Sequence, residues 1–265
     1  MKSIKRRFNE EIKSIAAEHG FQKIKVPYMG EIYGRATEEM WQVFEFVSYS
    51  SHTCDVDISV FPIRGEINEY SFMGAEEPIM LTALSGLDFD GFSYVMNNEE
   101  TIISCVKKVV KIFNEIAIPF FSKTTTNYDA LHKLLNLECR RFELDILCRM
   151  NKFYMALNTK NTFVALDCCY FWIENNKNYL MEDYISSASK KRSNEIIEML
   201  EKYIERLEAD DYEFFDSILD KFEERSKEMI CEVLKTANLK CLAEWEKGDI
   251  FLSPRWDNAR FCLTR

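Results

Sequence analysis

The sequence predicts an α+β fold, with an N-terminal helix and an antiparallel meander sheet of about four strands followed by a mostly helical C-terminal half. Three observations carry this. Apolar residues recur at helical spacing over 3–18, four short segments of strand character lie between 21 and 61, and helical periodicity dominates from 99 onward. Of 265 residues, 47% are hydrophobic, with 20 Phe and 12 Tyr, enough to fill a sizeable aromatic core and to exclude a disordered chain. Only 8 Gly and 5 Pro serve the whole length, so tight turns are few and the composition leans toward helix.

Ile4, Phe8, Ile12, Ile15 and Ala16 share one face of the first helix, and His19-Gly20 closes it with a residue suited to a left-handed cap. Strands are expected over 21–28, 31–36, 41–50 and 54–61, separated by Met29-Gly30, Thr37-Glu38-Glu39 and Ser51-His52-Thr53. Connections this short favour antiparallel neighbours, because a parallel pair needs a long crossover. In the last strand Cys54, Val56, Ile58 and Val60 alternate with Asp55, Asp57 and Ser59, the period-two mark of one buried and one wet face. Gly65, Gly74, Gly86 and Gly91 break up 62–98, which reads mostly as loop with one short helix over 78–85.

Ile102, Ile103, Val106, Val109, Val110 and Phe113 form the apolar stripe of the next helix, expected to end where Pro119 cannot continue it. Asn127 is suited to cap the helix bearing Leu131, Leu134 and Leu135, and further helices are expected over 139–158, 163–174 and 179–188. Two longer patterns follow: 194–207 on Ile197, Leu200, Tyr203 and Leu207, and 212–235 on Phe215, Leu219, Phe222 and Met229. Joined by Glu208-Ala209-Asp210-Asp211, they make an antiparallel hairpin. The tail 248–265 carries Ile250-Phe251-Leu252 and a Pro254-Arg255-Trp256 turn able to dock on the body. The chain thus divides into an α+β sheet region, 1–125, and a helical region packed on it, 126–265, as two units or one continuous domain.

Nine cysteines, odd in number and scattered through apolar segments such as those of Cys105, Cys148 and Cys231, read as reduced core residues. The N-terminal Met1-Lys2-Ser3-Ile4-Lys5-Arg6-Arg7 runs into Phe8-Asn9-Glu10-Glu11 without an apolar export segment, and no apolar run reaches membrane-spanning length. A cytoplasmic location with no membrane contact is therefore expected.

Charge is distributed in blocks. The total is −10, yet residues 36–106 hold thirteen acidic side chains against one basic, Arg64, and residues 193–224 hold twelve against three. Segments 1–35, 107–192 and 225–265 are each net positive. A helix hairpin needs a charged face, which accounts for 193–224. Near-absence of Lys and Arg over seventy residues of sheet and loop instead suggests a surface suited to something positive, either a basic protein or a divalent cation. Nucleic acid is disfavoured, since phosphate recognition needs a basic groove.

Asp55-Val56-Asp57 sets two carboxylates on one strand face, about 6 to 7 Å apart by the strand repeat, close enough for chelation. The stretch 54–60 looks somewhat like the Asp-x-Asp strand of nucleotidyltransferases, but the Gly-Ser turn that opens a helix before that strand is missing. An ordinary acidic strand face is the simpler explanation of the pair. His19 suits a helix C-terminus, His52 beside Cys54 lacks a third orienting group, and His132 reads as exposed. Cys168-Cys169 are adjacent, and Cys139 and Cys148 are wrongly spaced for zinc, so neither a structural metal nor a cofactor is expected. No phosphate loop, nucleophile elbow or His-Glu-x-x-His occurs.

The order of helix 3–18, His19-Gly20-Phe21-Gln22-Lys23, aromatic strands from Tyr33 to Phe61, a helix ending Ile116-Ala117-Ile118-Pro119-Phe120-Phe121 and a Leu-rich helix from Asp129 resembles a bacterial domain-of-unknown-function family, numbered 4304. The resemblance covers about half the chain. It implies an α+β sheet with helices on one face, and it brings neither an activity nor catalytic residues.

Three readings of function result. The preferred one is a non-enzymatic binding protein whose acidic sheet engages a basic protein partner, in the manner of immunity proteins that neutralise basic toxins, with Trp41, Tyr49, Asp55 and Asp57 as contacts. The alternatives are a divalent-metal phosphoryl or nucleotidyl transferase holding its metal on Asp55 and Asp57, and a small-molecule pocket between sheet and C-terminal helices. Oligomeric state is left open.

Overall fold

Apolar spacing and a glycine cap define the first element, α1 (Ile4–Glu18), which buries Ile12 and Ala16 and ends in a Schellman turn. Gly20 takes φ 79°, and the Phe21 N–H donates to the Ala16 carbonyl at 2.9 Å. We describe the fold from a computed structural model, whose described residues are 4–24, 31–50, 53–65, 79–80, 94–95, 98–136, 146–182 and 184–236.

Four strands follow as an antiparallel meander: β1 (Gln22–Ile24), β2 (Glu31–Ala36), β3 (Met40–Ser50) and β4 (Thr53–Pro62). The α+β class and the meander are thus as the sequence predicts. Two short strands, β5 (Ile79–Met80) and β6 (Tyr94–Val95), pair successively with the outer edge of β4. Residues 79–80 therefore belong to the sheet rather than to a helix; the remainder of the expected 78–85 helix lies outside the described residues.

Register settles which residues share a face. Tyr33 lies opposite Phe44, Phe44 opposite Ile58, and Gln42 opposite Val60, and all of these are buried. This face packs against helices through Phe113, whose ring meets those of Phe44 (4.7 Å) and Phe21 (5.6 Å) edge-on. The other parity carries Trp41, Val43 and Phe61, also buried, with Trp41 and Phe61 stacked at 6.2 Å. The sheet therefore buries both faces at this end. The wet face that the alternation in 54–60 gives the last strand does not extend to Phe61.

Asn98 opens α2 (Glu99–Ile112) with a capping box, accepting from the Thr101 N–H at 2.9 Å while Thr101 Oγ accepts from the Asn98 N–H. Pro119 does not end this helix. A π-helical turn (Phe113–Ala117) shifts the hydrogen-bond register, with the Ile118 N–H donating to the Phe113 carbonyl, and α3 (Ile118–Ser122) continues with Pro119 in its first turn, where a missing N–H costs nothing.

The cap of α4 (Asn127–Leu135) is Thr126, whose hydroxyl accepts from the Asp129 N–H at 3.1 Å. Asn127 is instead buried inside the first turn. The helical half continues with α5 (Ile146–Asn158), α6 (Thr162–Leu180), α7 (Ser187–Glu208) and α8 (Tyr212–Thr236). The expected helix over 179–188 is divided: Met181 caps α6, and Ser186, accepting from the Ser189 N–H at 3.1 Å, starts α7. Residues 139–145 and the tail 248–265 lie outside the described residues.

Buried side chains from Ile12 through Phe44, Phe113, Phe153, Trp172 and Leu200 to Phe222 form one core cluster. The sheet and the helices therefore share a single interior. Among the described residues no helix is long and apolar enough to cross a membrane.

Candidate functional site

Two polar junctions fix the sheet. At the first, buried Gln42 donates from Nε2 to the carbonyls of Phe121 (2.6 Å) and Thr124 (3.3 Å) and accepts from Arg35 Nε at 2.7 Å. Arg35 also donates to the His19 carbonyl at 2.7 Å and lies 4.5 Å over the Phe21 ring. Every partner is a carbonyl or amide of the frame itself, so this network positions elements. Alongside it, Glu39 Oε2 accepts from the N–H (2.8 Å) and Nδ2 (3.0 Å) of Asn127, placing a carboxylate at the N-terminus of α4.

The second junction lies where β4 leaves the sheet. Arg64 pairs with Asp216 (3.5 Å), Glu223 (3.2 Å) and Asp220 of α8, and donates to Asn158 Oδ1 of α5 at 3.3 Å. Asn158 Nδ2 donates back to the Arg64 carbonyl at 2.9 Å, and Ser226 Oγ donates to the Ile63 carbonyl at 2.6 Å. A Cβ on Gly65 would stand 2.8 Å from Pro62 Cγ and 3.3 Å from Tyr154 Cβ, so the chain can approach α5 this closely only through glycine. The single basic residue of the 36–106 block is thus committed to carboxylates of the 193–224 block.

Of the residues singled out from the sequence, Trp41 is corrected: strand parity sets it beside Phe61 on a covered face, and its 0% exposure removes it from any contact surface. Asp57 stands opposite Glu45 on β3 and opposite Met80 on β5, and Asp55 stands opposite Val47. Glu45, Asp55 and Asp57 thus share one strand parity, a grouping that sequence reading missed because Glu45 sits in another segment. Tyr49 lies in β3 within the irregularity between Val47 and Ser50. Trp41 is four residues from Glu45, about 13 Å by the strand repeat. The backbone register therefore puts these three positions on one strand parity, with Trp41 further along β3.

Other reactive groups serve packing. His19 meets the Phe113 ring edge-on at 5.3 Å, and exposed His132 stacks on Tyr128 at 6.3 Å. His52 lies outside the described residues. Cys105, Cys168 and Cys169 are buried free thiols. Burial pushes the Cys105 thiol up to about 11, with Lys108 pulling weakly the other way, and burial with neighbouring Cys168 raises Cys169 too, so both stay protonated at neutral pH. Among the described residues no group of three or more His, Cys, Asp or Glu is arranged to hold a metal ion. No family model, curated protein or solved structure matches the chain.

Proposed function

We propose that this is a non-enzymatic binding protein whose acidic sheet region receives a positively charged protein partner, in the way an immunity protein receives a basic toxin. The observation that carries the reading is the register of β3 on β4. It sets Glu45 directly opposite Asp57, with Asp55 at the next position of the same parity. Like charges directly opposite each other on neighbouring strands destabilise a sheet, by roughly 0.2–1 kcal/mol. Retaining such a pair fits a surface whose charge is neutralised from outside. Arg64 is committed to α8, so it does not serve that purpose. Charge complementarity of this kind speeds encounter and sets specificity more than it tightens the complex.

A second reading, a divalent cation held on Asp55 and Asp57, rests on the Asp-x-Asp spacing of β4, with Glu45 opposite Asp57 in the backbone register. One experiment separates the two. The immobilised protein and its E45Q/D57N variant are challenged with lysate at rising salt, and thermal melting is followed with Mg²⁺ or Mn²⁺. The binding reading expects a basic protein that salt elutes and the variant fails to retain, with the variant itself melting slightly higher as repulsion is removed. Retention of nothing, or retention indifferent to salt, overturns it. A melting temperature raised by Mg²⁺ or Mn²⁺ in the wild type but not in D57A would establish the cation reading instead.

A further inference from the structure

The outward face of α6 carries exposed apolar side chains that the acidic sheet does not explain. Phe163 is 83% exposed, Tyr170 52% and Met181 79%, and between them lie exposed Asp167, Glu174 and Lys177. These six positions form one narrow stripe on the helix side opposite buried Trp172.

Their order is symmetric about Trp172. Tyr170 and Glu174 lie two residues to either side of it, Asp167 and Lys177 five, and Phe163 and Met181 nine. Turned end for end, the stripe therefore presents a complement of itself, with apolar against apolar at the ends, acid against base further in, and hydroxyl against carboxylate near the centre.

We infer that α6 is a self-association surface on which a second copy of this chain packs antiparallel about a twofold axis level with Trp172. Such an interface is isologous, so each contact is made twice. Phe163 covers Met181 of the second copy, Asp167 faces its Lys177, and Tyr170 lies beside its Glu174. The Tyr170 hydroxyl makes a long hydrogen bond within its own chain, 3.5 Å to Glu208, and can turn to the new acceptor. A charge pattern that is complementary only in the reversed orientation selects the antiparallel dimer over a parallel one. The helix has 19 residues and is about 28 Å long by its rise, so one such face buries less than a standard stable interface and the dimer is a weak one, of micromolar affinity.

Sedimentation across about 1 to 500 μM tests this on the full chain. The wild type should move from monomer to dimer over that range. D167K and K177D should each weaken association about tenfold or more, because either change creates two like-charge contacts at once, and the double variant D167K/K177D should restore it to within about threefold. F163S should weaken it as well, and all four variants alter exposed side chains, so circular dichroism should remain that of the wild type. A wild type that stays monomeric throughout, single charge variants that dimerise unchanged, or a double variant that is not rescued would each overturn the inference.

Discussion

Three helices end in the same way although their sequences at that point have nothing in common. Gly20, Lys160 and Asp210 have φ of 79°, 54° and 54°, and after each the next N–H reaches back five residues, Phe21 to Ala16, Asn161 to Ala156 and Asp211 to Arg206. Only the first stop is legible in the sequence, because glycine alone adopts this conformation without a Cβ penalty. Lys160 and Asp210 take it without glycine, closed by the hydrogen bonds that Asn161 and Asp211 make to Ala156 and Arg206. At this scale D210G should raise stability by up to about 1 kcal/mol and G20A should lower it by about 1 kcal/mol, both measurable as denaturant midpoints at unchanged slope. Nothing lies within 4 Å of a Cβ built on Gly20, so the loss there would be conformational rather than steric.

At the scale of elements, the turn between β2 and β3 and the start of α4 act as one unit. Thr37 Oγ donates to the Thr125 carbonyl at 2.9 Å, and Glu39 accepts both donors of Asn127. Thr126 with Asp129 completes the cap, a pairing whose spacing stands in the sequence although Asn127 is the more obvious candidate. Glu39 is not readable as a partner, since 88 residues separate it from Asn127. E39A should cost about 1–2 kcal/mol, and T126A about 1 kcal/mol. The two losses should not add in the double variant, because both remove acceptors from the same helix turn; a double-mutant cycle in urea checks this. The π turn before Pro119 has the same character. Proline signals an interruption, but whether the chain stops or shifts register depends on what Phe113 packs against.

Across the whole molecule, Arg64 ties the two acidic blocks together. It holds Asp216, Asp220 and Glu223 of α8 at the exit of β4, joining the sheet to the last described helix. These pairs are partly exposed, so their direct attraction is modest, yet removing the cation leaves three carboxylates crowded around one point. R64A should lower stability by about 1–3 kcal/mol at low ionic strength, and the loss should shrink markedly in about 0.5 M NaCl as repulsion is screened. A loss independent of salt would show that the packing of Gly65 and Asn158, rather than charge, holds the junction.

The sequence by itself determined the α+β class, the meander order, the break between the last two helices and the uneven acidity, because each is written in local periodicity, short connections or simple counting. Only the tertiary structure decided that Trp41 is core, that Glu45 stands opposite Asp57, and that Arg64 belongs to α8. Those facts rest on strand register and on contacts between residues distant in the chain, where burial and pairing are set by what folds against a segment rather than by the segment's own pattern.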